Sequence, residues 1–548
     1  MATITGSEVL AQALRSQGVD TLFYLMGGPM LETEAACIQL GIRAIDTRHE
    51  QAAALAAHAW TRVTRRPGVC MGCSGPGTTN LVTGVANAFT DCAPVVAIGG
   101  SSPRTFLGME AFQEIDQVAI MRPITKWAER VYDARRIPEM VATAFRQATT
   151  GRPGPVYLDL PGDVLGEKVE DERLTYWPAW RPAPRPLGDP GAVREAAALL
   201  ARAERPVILA GSGVWWSDAM AALRALVDAT GIPFYTTPIS RGLVAEDHPL
   251  ALLHARSTAF AEADVVLAVG TRFNWVLQFG RPPRFAADLK VIHVDINPTQ
   301  LGHNRTVDVP IVGDARAVLE QLRAEADGTI DARRYAAWVG RLRTFDREKG
   351  AEMEQAMSTD QVPIHPLRLC KEVRDFLRRD AILVVDGQEI LNYGRQSIPT
   401  YCPGGRLNSG AFGCMGVGLP FGVGAKAARP EAQVVVLHGD GSYGLNAMEI
   451  DTAVRHKIPV VVVISNNGGW TADTPWARPL PKPGRSLGYT RYDRAAQELG
   501  AHGEFVEKPH EIRPALERAW ASGKVAVVNV VTDDKARAQT VRFSAYTT

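Results

Sequence analysis

Short, continuous apolar runs recur along this chain and constrain its fold more than any other feature of the sequence. Eight of them, including "VVAIGG", "DVVLAVG" and "QVVVLHGD", are rich in valine, isoleucine and leucine. Such runs are typical of strands in parallel sheets that helices cover on both faces. Because the segments between the runs are long enough for crossover helices, the sequence predicts an α/β fold with doubly wound parallel sheets.

Two linkers divide the 548 residues into three blocks. Residues 175–191 are rich in proline and should be extended, whereas residues 325–366 are charged and mostly helical in pattern. We therefore expect three domains, at residues 1–180, 190–330 and 360–548, each built on its own parallel sheet.

Charge and hydropathy argue against several classes of function. The chain carries 60 Lys and Arg against 59 Asp and Glu, a balance that argues against a general nucleic-acid binder. No apolar stretch reaches the roughly 18 residues of a membrane span, and the first residues lack the pattern of a secretory signal. Seven cysteines do not indicate a disulfide framework, and we interpret the C-x-x-C of Cys70 and Cys73 as two core residues. We expect a cytoplasmic protein.

The segment from Val434 to Trp470 carries polar groups at the ends of two successive predicted strands. "QVVVLHGDG" ends in Gly-Asp-Gly, and after a predicted helix "IPVVVVISNNGG" ends in Asn-Asn. Ligands of open α/β sheets bind beyond the carboxyl ends of the strands, so Asp440 and Asn467 should lie side by side. A carboxylate, an amide oxygen and a backbone carbonyl suit Mg²⁺, and a helix N-terminus suits phosphate. The pair predicts a metal-bridged diphosphate site; the alternative is an Asp-Gly turn and an unrelated Asn cap.

Gly-Asp-Gly, 24 residues and Asn-Asn resembles the motif of thiamine diphosphate enzymes such as acetolactate synthase and pyruvate decarboxylase. The resemblance implies three α/β domains: a pyrimidine-binding domain, a Rossmann-like middle domain and a diphosphate-binding domain. It also implies that Asp440, Asn467 and the Gly469 carbonyl bind Mg²⁺, which holds the diphosphate. Further contacts with the cofactor are then expected from Gln388, Gly441 and Ser442.

Two other segments resemble the same family. In "NSGAFGCMGVGLPFGVGAKAA" the Gly413 carbonyl and the Met415 N–H would hydrogen-bond the aminopyrimidine, with Met415 as the apolar wedge that bends the cofactor. In "DTRHEQAAALAAHAW" Glu50 occupies the position of the carboxylate that shares a proton with the pyrimidine N1′. In this family Glu50 and Asp440 come from different subunits, which implies a homodimer with shared active sites, usually within a homotetramer.

The middle block, from Pro238 to Pro298, resembles 2-hydroxyacyl-CoA lyase and oxalyl-CoA decarboxylase through Arg256 and "RFNW" at Arg272 to Trp275. In those enzymes this domain binds ADP. The residues that the resemblance assigns to ADP are Arg152, Gly213, Arg272, Asp295 and Asp314. The alternative is that these are turn residues of a Rossmann-like domain without a nucleotide.

Phe112-Gln113 matches the lyases, where the decarboxylases have Tyr-Glu, although acetolactate synthases share "AFQE". We therefore expect a 2-hydroxyacyl-CoA lyase that releases formyl-CoA and an aldehyde or ketone, with Gln113 orienting the substrate hydroxyl. The alternatives are an acetolactate-synthase-like enzyme acting on 2-oxo acids and a non-catalytic regulatory or scaffold protein. The C-terminal segment "DDKARAQTVRFSAYTT" is expected either to cover the substrate as a lid or to be a frayed terminus.

Overall fold

The computed structural model describes residues 3–179, 185–470 and 483–538. Within them, three mainly parallel sheets follow one another along the chain, each flanked by helices, so the predicted fold class is confirmed. Within the C-terminal segment expected to be either a lid or a frayed terminus, the residues from Gln539 to Thr548 lie outside the described residues.

The first sheet has six parallel strands in the order β3-β2-β4-β5-β7-β6, and β1 and β8 form a separate antiparallel pair. Its strands are β1 Thr3–Thr5, β2 Thr21–Tyr24, β3 Arg43–Asp46, β4 Gly68–Gly72, β5 Val95–Ser101, β6 Ala128–Arg130, β7 Val156–Pro161 and β8 Lys168–Glu170. Its helices are α1 Gly6–Ser16, α2 Leu31–Gln39, α3 Glu50–Thr64, α4 Pro76–Thr90, α5 Gln117–Met121, α6 Ile137–Thr149 and α7 Gly162–Gly166.

The middle sheet has five parallel strands in the order β10-β9-β11-β12-β13. These strands are β9 Pro206–Ala210, β10 Phe234–Thr236, β11 Val265–Val269, β12 Lys290–Asp295 and β13 Val309–Val312. The helices are α8 Pro190–Arg202, α9 Ser212–Trp216, α10 Met220–Thr230, α11 Arg256–Glu262 and α12 Ala315–Ala326. The charged linker predicted to be helical contains α13, Ala336–Met357.

The third sheet has six parallel strands in the order β15-β14-β16-β17-β19-β18. These are β14 Ile382–Asp386, β15 Arg406–Leu407, β16 Val434–Gly439, β17 Val461–Asn466, β18 His502–Val506 and β19 Ala526–Val531. The helices are α14 Pro366–Phe376, α15 Glu389–Ser397, α16 Gly418–Ala428, α17 Asp440–Gly444, α18 Glu449–Arg455, α19 Tyr492–Glu498 and α20 Ile512–Ala521.

The first and third domains share one apolar core. Its buried side chains come from α3 and β4 on one side and from α16 and β16 on the other. The two helices touch through their backbones, because a Cβ at Gly424 of α16 would overlap the carbonyl oxygen of Ala56 in α3. Close packing of this kind joins the helix that begins at Glu50 to the domain that carries Asp440.

Candidate active site

The predicted metal ligands lie together at the carboxyl edge of the third sheet. Asp440 is the first residue of α17, directly after β16, and is only 2% exposed. The side-chain oxygen of Asn467, one residue beyond β17, lies 2.9 Å from Asp440 Oδ1 and 2.9 Å from the Gly469 carbonyl oxygen. Three oxygen ligands of different kinds therefore face one small volume.

This geometry fits Mg²⁺. Oxygen ligands about 2.0–2.1 Å from an octahedral Mg²⁺ lie about 2.9 Å from one another at right angles. Without a cation the Asn467 amide would turn, because its nitrogen could donate to both neighbouring oxygens. Asp440 Oδ2 is buried with no hydrogen-bond partner, and burial raises the pKa of this carboxyl to about 6. A cation bound to Asp440 would compensate the charge of this buried carboxylate.

The three candidate metal ligands are a carboxylate, an amide oxygen and a backbone carbonyl, not a cluster of acidic side chains. Among residues 3–179, 185–470 and 483–538, no group of three or more His, Cys, Asp and Glu side chains could hold a metal ion. The three oxygens at Asp440, Asn467 and Gly469 carry a single negative charge between them. A Mg²⁺ ion here would therefore need the phosphate oxygens of a second ligand, as the metal-bridged diphosphate hypothesis requires.

Four of the predicted cofactor contacts line the same pocket, namely Gln388, Met415, Gly441 and Ser442. A side chain at Gly441 would displace Trp470, because a Cβ would lie 2.9 Å from ring atoms of Trp470. The Ser442 hydroxyl lies 3.1 Å from Nδ1 of the buried His438, and burial lowers the pKa of His438 to about 3. The His438 imidazole is therefore neutral, and its Nδ1 lies within hydrogen-bond distance of the Ser442 hydroxyl.

The turn before α16 carries Gly413 and Met415. Gly413 is exposed, has a φ of 72°, and does not line this pocket, whereas Met415 does. Sequence reasoning missed the group that holds this turn: Asp386, at the end of β14, accepts the N–H of Gly418 at 2.9 Å. A strand-end aspartate in "AILVVDG" was the available signal.

The predicted helix after Gly-Asp-Gly is wrong in one respect, because it is divided into α17 and α18. Between them, Asn446 donates from its side-chain nitrogen to the Gly416 carbonyl at 2.7 Å. The break between α17 and α18 therefore places Asn446 where it helps to hold the turn that carries Met415.

Glu50 lies at the carboxyl edge of the first sheet, not in the pocket of Asp440. It begins α3, is 4% exposed, and accepts a hydrogen bond from Asn80 Nδ2 at 2.9 Å. The lining residues of the Asp440 pocket, within the part of the chain that the structure describes, all lie between 366 and 536. Within a single chain the predicted contacts at Glu50 and at Asp440 therefore lie in separate places.

Gln113 lies near this second edge. Its side-chain oxygen accepts the Ser74 hydroxyl at 2.6 Å, and Ser74 follows the C-x-x-C segment. Cys70 is buried in β4 as predicted, whereas Cys73 is only half-buried, and the charge of Glu50 contributes to raising its pKa after burial itself.

Four of the residues assigned to ADP lie at the carboxyl edge of the middle sheet, because Gly213, Arg272, Asp295 and Asp314 lie at or directly after the ends of β9, β11, β12 and β13. Arg152 and Arg272 lie close enough to Asp295 to oppose the rise in its pKa that burial causes. Gly213 packs against Gly270, where a Cβ would come within 2.6 Å of the Gly270 Cα. Asp314 caps α12 and pairs with Arg185 at 3.1 Å. ADP binding remains a prediction.

A cleft of about 1000 Å³ lies between the middle domain, α13 and the third domain. Seven arginines line it, of which the sequence singled out only Arg256: Arg241, Arg256, Arg284, Arg374, Arg395, Arg406 and Arg537. Arg241 pairs with Glu246, and Arg374 pairs with Glu354. Within the described ranges no carboxylate lies within 4.0 Å of the guanidinium groups of Arg256, Arg284, Arg395 and Arg406.

Comparison with known proteins identifies the class that this fold and site define. Family models for the thiamine pyrophosphate enzymes match in chain order: the N-terminal TPP binding domain at residues 4–120, the central domain at 193–322 and the C-terminal TPP binding domain at 391–530. The chain belongs to this family of enzymes, and the family predicted from its motifs is confirmed.

Similar proteins include three different activities. The chain is 40% identical to the acetolactate synthase large subunit of Mycobacterium tuberculosis, covering 97% of this chain and 96% of that protein. It is 35% identical to 2-hydroxyacyl-CoA lyase 1 of Mus musculus, covering 97% and 94%. It is 36% identical to oxalyl-CoA decarboxylase of Escherichia coli, covering 97% and 95%. Among its described residues, no helix is long and apolar enough to span a membrane.

Proposed function

We propose that this protein is a thiamine-diphosphate-dependent 2-hydroxyacyl-CoA lyase. The observation that carries the proposal is the arginine-rich cleft beside the cofactor pocket. Burial and the guanidinium groups of Arg284 and Arg395 lower the pKa of Arg256 to about 9. Burial also lowers the pKa of Arg406 to about 9.

Guanidinium groups that crowd one another without carboxylate partners are costly unless an anion compensates them. A free 2-oxo acid brings one carboxylate, whereas coenzyme A brings several phosphate charges. Arginine also matches phosphate oxygens with two parallel hydrogen bonds. The charge of the cleft therefore favours an acyl-CoA over a free 2-oxo acid.

Helix α15 runs between the two cavities. Its first residues, Glu389 and Ile390, line the cofactor pocket, and Arg395 and Gln396 near its end line the cleft. Nine helical residues span about 13 Å. A substrate with a long, narrow arm between its phosphates and its reacting carbonyl suits this separation, as an acyl-CoA thioester does.

In this proposal the residues of the chain have distinct roles. Thiamine diphosphate, when bound, supplies a nucleophilic carbon and an electron sink for cleaving a carbon–carbon bond. Asp440, Asn467 and Gly469 would hold Mg²⁺ and thereby the diphosphate, while Glu50 would share a proton with the pyrimidine ring. Gln113 would hydrogen-bond an oxygen of the substrate.

In the proposed reaction the substrate divides without gain or loss of atoms. The bond between C1 and C2 of the 2-hydroxyacyl-CoA breaks, the 2-hydroxyl oxygen loses its proton, and C1 gains one. The products are formyl-CoA and an aldehyde or ketone. A buried site that excludes water would prevent protonation at the wrong stage.

The complete site is proposed to form in the homodimers of a homotetramer, in which Glu50 of one chain meets the Asp440 pocket of another. Large apolar side chains are exposed around Glu50 and around the Asp440 pocket, and Phe112 is 85% exposed. The others are Met26, Met109, Phe412, Leu445 and Met448. Exposed apolar surface of this extent marks an interaction face.

A second candidate is a carboligase acting on 2-oxo acids, because the acetolactate synthase relative is 40% identical. A panel of 2-hydroxyacyl-CoA thioesters and pyruvate, assayed with thiamine diphosphate and Mg²⁺, separates the two. Release of formyl-CoA supports the lyase. Acetolactate from pyruvate with no thioester cleavage would overturn it.

Arg395→Ala tests the role of the cleft. We expect the KM for the acyl-CoA to rise about 10-fold, because one charge-assisted contact with phosphate is lost, with thiamine diphosphate binding unchanged. Arg224→Ala, which removes an exposed arginine paired with Asp228 on α10, is the control and should leave KM unchanged. Equal KM values in both variants would contradict the proposed binding site.

A further inference from the structure

We infer that Ser74 is a positioning residue that fixes which end of the Gln113 amide faces the substrate, so that Gln113 presents N–H groups. The inference rests on the proposed function, in which Gln113 contacts the substrate. It assigns a role to a side chain that the sequence did not single out, and it specifies the polarity of the contact that Gln113 makes.

The Ser74 hydroxyl has two acceptors within reach, and the distances distinguish them. Gln113 Oε1 lies 2.6 Å away, and the Gly28 carbonyl oxygen lies 3.3 Å away. The Gly28 carbonyl already accepts the backbone N–H of Ser74 at 3.3 Å. The hydroxyl hydrogen therefore points to Gln113, since the shorter contact is the stronger hydrogen bond.

An amide oxygen held in this way leaves the amide nitrogen on the opposite side. Gln113 Nε2 has no hydrogen-bond partner among the residues that the structure describes, and the side chain is only half-buried. Its two N–H groups are thus available to a ligand.

The backbone of Gln113 is also fixed. Its φ of 60° lies in the left-handed region, which is unfavourable for a residue with a Cβ. Gly75 packs so closely that a Cβ there would lie 2.5 Å from the Gln113 carbonyl oxygen. The residue is therefore held by its surroundings in a conformation that it would not adopt alone.

A buried network holds Gly75 in turn. Gln117 Oε1 accepts the Gly75 N–H at 2.5 Å, and Gln117 Nε2 donates to Asp159 Oδ1 at 2.7 Å. Asp159 is fully buried and also accepts the Ser101 hydroxyl at 2.8 Å. Because every group in this chain of contacts is satisfied, the network is rigid and the loop position is defined.

The orientation of the Gln113 amide, with its N–H groups toward the substrate, has a chemical consequence. The thioester carbonyl oxygen gains negative charge when a nucleophile adds to C1, the step that must precede cleavage of the C1–C2 bond. An N–H donor stabilises an oxygen whose negative charge increases, whereas an amide oxygen would repel it. We therefore assign Gln113 to a substrate oxygen as a donor, and its orientation to Ser74.

A double-mutant cycle tests the assignment in the full-length enzyme saturated with thiamine diphosphate and Mg²⁺. We expect Ser74→Ala to lower kcat about 10-fold with little change in KM, and Gln113→Ala to lower it about 100-fold. In the Gln113→Ala background, Ser74→Ala should change kcat less than 2-fold, because no amide remains to be oriented. Thiamine diphosphate affinity should be the same in all four proteins.

Ser102→Ala is the matched control. Its hydroxyl is equally buried and donates to the backbone carbonyl of Phe112 in the same loop at 3.2 Å, without contacting the Gln113 side chain. Its effect should be the same with or without Gln113. If Ser74→Ala lowers kcat equally in both backgrounds, Ser74 supports the loop only and the inference is overturned.

Failure of the proposed function gives a different result. If the wild-type enzyme cleaves no 2-hydroxyacyl-CoA but converts pyruvate, the lyase assignment is wrong. The same cycle is then measured with pyruvate, whose carbonyl oxygen also gains negative charge. Coupling between Ser74 and Gln113 would support the inference with either substrate, and additive effects would refute it.

Discussion

At the scale of single residues, two side chains of the predicted metal site lack the hydrogen-bond donors that their oxygens need. Asp440 Oδ2 is buried without a hydrogen bond, and the Asn467 oxygen faces two other oxygens. Neither arrangement is stable in an apolar environment unless a cation is bound. Both residues were found from the sequence because strand ends in parallel sheets meet at one edge.

Asp440→Ala is expected to weaken Mg²⁺-dependent binding of thiamine diphosphate by at least about 100-fold, because it removes the only charged ligand of the three. Isothermal titration with and without Mg²⁺ measures the effect. Asp451→Ala, which breaks a surface ion pair with Arg455 within α18, is the control. Equal affinities in the two variants would exclude Asp440 as a ligand.

Glu449 makes stability depend on pH. Burial raises its pKa from 4.5 to about 7, although it accepts the Arg48 N–H and the Thr452 hydroxyl. The folded protein therefore binds a proton more tightly than the unfolded chain, and this contribution to the free energy of unfolding is lost as pH rises from about 4.5 to 7. Glu449→Gln should flatten the pH dependence in this window.

Urea denaturation at several pH values between 4.5 and 7.5 measures the change. Glu431→Gln, at an exposed position before β16, is the control and should keep the wild-type dependence. An unchanged slope in Glu449→Gln would show that this carboxyl is not the responsible group.

At the scale of elements, packing between helices and strands decided what several glycines do. Three glycines of residues 408–428, the segment predicted to line the aminopyrimidine, lie against other parts of the protein. A Cβ at Gly418 would overlap the His438 ring, one at Gly422 would lie 2.5 Å from a Val436 methyl, and Gly424 meets α3. The glycines in the sequence predict that some group packs closely against the backbone, but they do not predict which group it is.

Gly424→Ala is expected to lower the free energy of unfolding by about 3 kcal/mol, because the added methyl group separates α16 from α3. Gly340→Ala in α13 is the matched control, since a Cβ there meets nothing within 4 Å. This control should be neutral or stabilising by about 0.5–1 kcal/mol. Similar stability of the two variants in urea denaturation would contradict backbone contact between α3 and α16.

At the scale of the whole molecule, Glu50 and Asp440 lie in separate places on one chain and require a second copy if both serve one cofactor. Chains carrying Glu50→Gln and chains carrying Asp440→Ala should each be inactive as homodimers. Co-refolding the two should restore about a quarter of the wild-type sites, because a mixed dimer contains one intact pair and one doubly defective pair.

The same mixture distinguishes a site shared between chains from one within a chain. If Glu50 and Asp440 of the same chain formed the site, mixing would restore no activity. A chain carrying both substitutions, mixed with wild type, is the control and should show no recovery above the wild-type fraction. Size-exclusion chromatography with light scattering reports the oligomeric state of each preparation.

The sequence alone determined the fold class, the cofactor family and the residues at the ends of β16 and β17. These follow from local rules, since apolar runs, helix patterns and strand-end motifs are properties of neighbouring residues. Only the tertiary structure decided the rest: the contact of α3 with α16, the support of Gln113 by Ser74 and Gln117, and the grouping of Arg256, Arg284, Arg395 and Arg406 in one cleft. Those arginines lie far apart along the chain, so their mutual repulsion, which favours a polyanionic ligand, exists only once the domains have packed.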